Sequence, residues 1–357
     1  MSEARELSRF SATAHRGAFI EPLPESPRQR SRIGEELQPV GYYANVNPYY
    51  RLIQDIEAVQ EQEKQDPEFE SQDWWWDHRR IGFLNGKLGL KFLLLILPFS
   101  WILVLWLGGP GLLIWGIGEF ELFRSLPSLV VVIGLLLLTL GWYAFAIWIT
   151  PVTTNWLMST GIGFFLKPFE KSINKKLDKT FEDGYSEFNR LTGQVRFALG
   201  RGRFFDAPFV EFDAYVERVV QQGGIFYRLM LVHRYTGKTF NQTSLSNIEA
   251  SKSEVLALWD MLQRYMDVTQ PLPDVPRLEP FRHLDPVTRE HDEKTGRDPR
   301  YWRDLDIEAW KQGAGVELLN RLRSYPWGSR VCKLTPQLGK VSLQEYREMR
   351  PEGAWPI

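Results

Sequence analysis

A single cysteine, Cys332, stands among 357 residues. An internal disulfide is therefore excluded, and the chain suits a reducing compartment. Histidine is nearly as scarce, with five residues: His15, His78, His233, His283 and His291. None has a second His, Cys or carboxylate at metal-ligand spacing on an expected helix, and no H-E-x-x-H pattern occurs. His233 falls on the apolar face of an expected strand, the position of a satisfied core histidine, and His291-Asp292-Glu293 lies in a charged loop from Arg289 to Arg300. Nucleotide and nucleophile signatures are missing too: there is no P-loop, no Rossmann fingerprint and no G-x-S-x-G. Gly200-Arg201-Gly202 imitates a phosphate loop, but no helix is expected after it, so it reads as a hairpin turn. Excess charge of either sign is also absent, since 43 basic residues balance 44 acidic ones, which leaves no general attraction for nucleic acid. These absences lead to the expectation of a protein that is not an enzyme, holds no metal or cofactor and binds no nucleic acid.

The most informative absence is local. From Phe92 to Gly118 and again from Ser125 to Leu166 there is no charged residue. About 20 predominantly apolar residues carry a helix across a hydrocarbon core of ~30 Å. Both runs exceed that, and neither has the polar stripe of a soluble core helix. The expectation is a two-helix transmembrane hairpin with spans at about 92–117 and 128–149. Pro98 and Gly108-Gly109-Pro110-Gly111 should kink or interrupt the first span, and Pro151 should bend or end the second. Residues 152–166 read as an interfacial or kinked extension.

Orientation follows from the flanks. His78, Arg79, Arg80, Lys87 and Lys91 precede the first span, and Lys167, Lys171, Lys175, Lys176 and Lys179 follow the second. The turn between them carries Glu119, Glu121 and Arg124. Excess Lys and Arg marks the cytoplasmic side, so both termini are expected there, with multi-pass insertion; in a bacterial cell the turn would lie on the periplasmic side, a eukaryotic membrane being the alternative. Trp74-Trp75-Trp76 beside Arg79 and Arg80 reads either as an interfacial anchor or as a packing cluster. Lys167, Lys171, Lys175 and Lys176 are candidates for contact with lipid headgroups as well as an ordinary topology signal.

The remaining chain divides by pattern. Residues 1–40 read as a disordered arm, 41–91 as a cytoplasmic helical segment whose helix opens at Asn47-Pro48, 92–166 as the hairpin with its juxtamembrane helix, and 167–183 as a basic linker. From 184 to 270 aromatic and β-branched runs alternate with Gly-containing turns, the pattern of an antiparallel meander. Ile225, Tyr227, Leu229 and Leu231 share one strand face, while Arg228 and Arg234 take the other. A helix over about 253–268, with Ser251 and Glu254 at capping-box spacing, closes the meander through Val255, Leu258, Trp259, Leu262 and Met266. The expected fold class is membrane α + β: the hairpin, then a small antiparallel β-barrel or half-barrel, pleckstrin-homology-like, capped by a C-terminal helix. Residues 271–357 read as a Pro-rich, polar tail with short helices at about 303–323 and 342–349.

The order of arm, hairpin, R-L-T-G-Q-V at Arg190–Val195, Y-T-G-K at Tyr235–Lys238 and L-W-D-M-L-Q-R-Y-M at Leu258–Met266, running on to Pro271 and Pro273, resembles a family of uncharacterised proteobacterial inner-membrane proteins often encoded beside type VI secretion genes. The resemblance covers about residues 40–280, and the tail from about 290 lies outside it. It implies inner-membrane placement and a part in interbacterial antagonism, as an immunity protein or as an accessory of effector handling, and it supplies no catalytic residues. The expected function is therefore a membrane-anchored protein-binding module whose partner is a secreted toxin or a secretion component. The alternative is a regulatory module that senses anionic membrane lipid through the basic juxtamembrane stretch and the β domain.

Overall fold

The computed structural model describes residues 10–26, 37–42, 52–70, 75–84, 89–119, 127–156, 184–200, 202–221, 223–240 and 249–350. The chain divides into two compact units, Met1–Gly86 with Phe181–Ile357 and, inserted between these two parts, Lys87–Thr180. The larger unit begins with strand β1 (Leu37–Val40), helix α1 (Leu52–Gln65) and strand β2 (Arg80–Leu84). The expected opening of α1 at Asn47-Pro48 lies outside the described residues.

The inserted unit pairs two long helices, α2 (Gly89–Glu119) and α3 (Ser128–Trp156). Helix α2 runs through Pro98 and Pro110, and α3 runs through Pro151, so the prolines do not interrupt the helices. The two run antiparallel. The Trp101 indole N–H donates to Thr153 Oγ1 at 3.0 Å, and that of Trp142 to the Leu105 carbonyl at 2.8 Å. Gly109 permits this approach, because a Cβ there would lie 2.0 Å from the Trp142 ring. Among the described residues α3 is the one helix long and apolar enough, by length and composition, to cross a membrane. Its side chains are mostly exposed, Leu129 at 71% and Trp148 at 69%.

After the insertion come β3 (Tyr185–Asn189), β4 (Gln194–Gly200) and β5 (Arg203–Pro208), a 3-10 turn at Phe209–Glu211, and then β6 (Phe212–Gln221), β7 (Gly224–His233) and β8 (Thr239–Phe240). The strands form two four-stranded antiparallel sheets, ordered β2-β3-β4-β5 and β1-β6-β7-β8. Neither closes, so of the expected barrel or half-barrel over 184–270 the closed barrel is corrected while the antiparallel strands are found. Each sheet takes an edge strand, β2 or β1, from the chain before the insertion. The 3-10 turn at Phe209–Glu211 carries the chain from one sheet to the other. Arg203–Pro208 forms a strand although Arg, Asp and Pro interrupt its alternation. The sheets share one aromatic core: Phe197 stacks on Phe240 at 4.2 Å between ring centroids, and Phe205 packs edge-on against Phe212.

Helix α4 (Lys252–Met266) closes the core, with Ser251 as N-cap accepting from the Ser253 N–H. The expected stripe of Val255, Leu258, Trp259, Leu262 and Met266 is buried, but so are Leu256, Asp260, Met261 and Gln263 on other faces. The last part of the chain helps to bury those other faces. It holds α5 (Pro286–Thr295), α6 (Ile307–Gln312), α7 (Ala314–Ser324) and α8 (Leu343–Met349). Beside the expected short helices, it places Trp302, Trp310, Leu334 and Tyr346 in the main core, and Arg330 pairs with Asp260 of α4.

The N-terminal arm is likewise ordered where described. Phe10, Ala14 and Leu23 are buried, and arm and tail pair directly. The Leu23 N–H donates to the Gln337 carbonyl at 2.9 Å, and the Lys333 N–H to the Tyr42 carbonyl at 2.8 Å. Short polar segments of this kind carry little periodicity of their own, so their burial is set by distant partners.

Candidate functional site

The root of the insertion is the best-defined local feature that also contains residues singled out in the sequence. β2 and β3 are register partners, Leu84 opposite Tyr185 and Arg80 opposite Asn189. The chain therefore leaves the sheet and returns to it on adjacent strands at one end of the ladder. Just before β2, Trp75–Arg80 makes a tight turn held by Asp77. Its Oδ1 accepts the N–H groups of Arg79 at 2.5 Å and Arg80 at 2.7 Å, and the Asp77 N–H donates to the Arg80 carbonyl. The Gly82 N–H donates to the Trp75 carbonyl at 2.7 Å, folding the turn back on β2.

Trp76 packs against the core with the Arg277 guanidinium 5.5 Å from its ring, and Arg277 in turn pairs with Asp55 of α1 at 2.6 Å. That is the packing role. Trp75 meets Tyr185 edge-on at 6.2 Å. Arg79 and Arg80 are exposed, and Arg80 sits 5.6 Å above the Tyr185 ring and 3.9 Å from Glu187. Burial pushes the Tyr185 hydroxyl well above its ordinary value, so it stays neutral. Trp75, Tyr185 and Arg80 thus make one aromatic and basic cluster, while the Arg79 guanidinium donates to His78 Nε2 at 3.1 Å. Tyr185 was missed as a site residue because its role depends on cross-strand register. Trp74, Lys167, Lys171, Lys175 and Lys176 lie outside the described residues.

The outer face of the same sheet carries alternating charge across its strands. Glu187 lies opposite Arg196, and Arg196 opposite Asp206, with Arg196 Nε 2.7 Å from Asp206 Oδ1. This is the wet side of the sheet, and its ion pairs are exposed enough to contribute little stability.

Buried charges among the described residues hold parts of the larger unit together. Glu211 accepts from His233 Nε2 at 2.8 Å, from the Tyr346 hydroxyl at 2.7 Å and from Arg350 Nη2 at 2.8 Å. His233 Nδ1 accepts the Thr236 N–H, which leaves the proton on Nε2 facing Glu211. Glu211, His233 and Arg350 are buried, so the cluster fastens the end of the chain onto the sheets. Arg190, the first residue of R-L-T-G-Q-V, reaches the Tyr265 carbonyl at the end of L-W-D-M-L-Q-R-Y-M. Two segments far apart in sequence meet there. Among the described residues no group of three or more His, Cys, Asp and Glu could hold a metal ion. No family model, curated protein or solved structure matches the chain.

Proposed function

We propose that this chain is a membrane-anchored protein-binding module of the bacterial inner membrane, with α2 and α3 crossing the bilayer and both termini in the cytoplasm. The observation that carries the reading is the insertion of a long, exposed, apolar helical pair between adjacent strands of an otherwise well-packed unit. Apolar surface left in water costs about 25 cal/mol per Å², and hydrocarbon removes that cost for side chains such as Leu129, Val132 and Leu136. The sheets and α4 form the head that meets a protein partner. The head is read as pleckstrin-homology-like in its order of sheet, sheet and closing helix, and it departs from that pattern in its two N-terminal edge strands.

The type VI secretion part of the proposal rests on the resemblance carried by Arg190–Val195, Tyr235–Lys238 and Leu258–Met266. In this reading the partner is a toxin or a secretion component. Two measurements test the proposal. A cysteine placed near Leu122 should react with an impermeant reagent added from the periplasmic side, and protection there refutes the topology. A strain lacking the gene should be killed by its secretion-active parent and rescued by a plasmid copy if the role is immunity. If it survives but no longer kills a naive target, the role is in effector handling. Survival with intact killing refutes both.

A further inference from the structure

The Y-T-G-K turn between β7 and β8 sets a hydroxyl against the last residue of β7. Gly237, at a φ of 66°, lets the chain reverse there, and the Gly237 N–H returns to the His233 carbonyl at 2.9 Å. Thr236 Oγ1 lies 2.9 Å from His233 Nδ1, and His233 Nε2 lies 2.8 Å from Glu211 Oε2. The side chains of Glu211 and His233 are fully buried, whereas Thr236 is exposed. Carboxylate, imidazole and hydroxyl therefore form a line that starts in the core and ends at solvent.

The line has a direction. Nε2 carries the imidazole proton and donates it to Glu211, so Nδ1 turns its lone pair outward. That lone pair receives the Thr236 N–H at 3.2 Å and the Thr236 hydroxyl at 2.9 Å, while Oγ1 accepts the Lys238 N–H at 3.4 Å. The ring is held in place by Phe205, Phe212 and Tyr235, which meet it edge-on with centroids 4.9, 5.5 and 5.9 Å away. On its far side Glu211 is fixed by the Tyr346 hydroxyl and by Arg350. A hydroxyl within hydrogen-bond reach of a base that a third group orients is the arrangement of an activated nucleophile.

We propose that Thr236 is an acyl-acceptor site, with His233 as its general base and Glu211 as the residue that positions that base. Oγ1 bonds to the carbonyl carbon of a small activated ester, which reaches the exposed hydroxyl from solvent. The hydroxyl proton passes to His233 Nδ1, and the imidazolium is held by Glu211. The bond from the carbonyl carbon to the leaving oxygen then breaks, and the leaving alcohol carries that proton away. The products are a Thr236 ester and a neutral His233. Membrane anchoring plays no part in this chemistry.

The test uses the full chain in detergent, carrying Cys332→Ser to remove the competing thiol, with p-nitrophenyl acetate at neutral pH. Acetyl esters are located by peptide mass spectrometry and recognised by their cleavage with hydroxylamine. Thr295 is the internal comparison, because it is also exposed but its hydroxyl donates to the His291 carbonyl at 2.9 Å and not to a base. Positioned base catalysis is worth about 10²–10⁴-fold, so Thr236 should be esterified at least about tenfold faster than Thr295. Thr236→Ser should keep the ester and Thr236→Val should lose it. His233→Gln and Glu211→Gln should bring the ratio of the two rates toward one, with the melting temperature read in parallel. Should those variants fail to fold, unfolding the parent chain in urea serves instead, and the ratio should again collapse. Equal rates at Thr236 and Thr295, or no ester at Thr236, overturn the proposal. A ratio that persists in urea or in a folded His233→Gln chain overturns it as well, by showing that the imidazole is not the base.

Discussion

Replacing Arg190 with alanine removes a buried cation that joins the strand turn to the closing helix. Its guanidinium is buried and donates to the carbonyls of Tyr265, Asp267 at 3.0 Å and Gln270 at 2.8 Å, while Nε lies 3.3 Å from Asp285 Oδ2. The carbonyls belong to the last turn of α4 and the segment after it, where helical partners run out. Asp285 is buried as well and keeps only its capping bonds from the Thr288 N–H at 2.9 Å and hydroxyl at 2.6 Å. Breaking a buried pair from one side costs about 3–5 kcal/mol. The stranded carbonyls add to this only partly, since water can enter the space left behind. A net loss of about 4 kcal/mol is a large share of the ~5–15 kcal/mol that holds a typical protein together. At about 2–4 °C per kcal/mol for a unit of this size, the melting temperature should fall by roughly 10 °C. The assay is thermal unfolding of the full chain in detergent, followed by near-ultraviolet circular dichroism, to which buried Trp259 contributes. Arg190→Lys should fall between alanine and wild type, because a single ammonium cannot span three carbonyls. Asp285→Asn should cost less in the Arg190→Ala background than alone. A loss below about 1 kcal/mol for Arg190→Ala, well under the 3–5 kcal/mol of a broken buried pair, would refute the clamp.

Three further outcomes follow from the same packing. Burial lowers the His15 pKa to about 4 against the opposing pull of Asp267. The folded chain therefore binds that proton more weakly than the unfolded one, and stability present above about pH 6.5 declines as pH falls toward 4, by about 3 kcal/mol in all. Hydrogen exchange over residues 10–26 should quicken across that window, and His15→Gln should flatten the response. Gly109→Ala places a methyl group 2.0 Å from the Trp142 ring, whereas Gly108→Ala meets nothing within 4 Å. A cysteine crosslink between positions 101 and 153, which leaves Trp142 in place, should be lost in the first and retained in the second. Arg350→Ala leaves Glu211 buried without its cation at a cost of about 3 kcal/mol, and mild proteolysis should then release the chain beyond Gly339 far faster than in wild type.

Much of this protein was legible where the signal is local. Missing charge over Phe92–Gly118 and Ser125–Leu166 is a property of consecutive residues, and it marked the two long helices directly. The stripe of α4 and the shared face of Ile225, Tyr227, Leu229 and Leu231 followed from periods of 3.6 and 2. At the insertion root Trp75, Trp76, Arg79 and Arg80 stood out by type. Their division into the packed Trp76 and the exposed arginines waited on Arg277 and Tyr185, which are remote in sequence.

Composition and periodicity by themselves therefore determined the apolar pair, the antiparallel strands and the closing helix, because each is encoded in spacings shorter than one element. Only the tertiary structure decided that the strands form two open sheets, that β1 and β2 come from before the insertion, and that arm and tail are built into the core. Those outcomes depend on pairings such as Leu23 with Gln337, Tyr42 with Lys333 and Glu211 with Arg350. A buried charge or an edge strand is stable only when its distant partner arrives, and no local pattern records which partner that is.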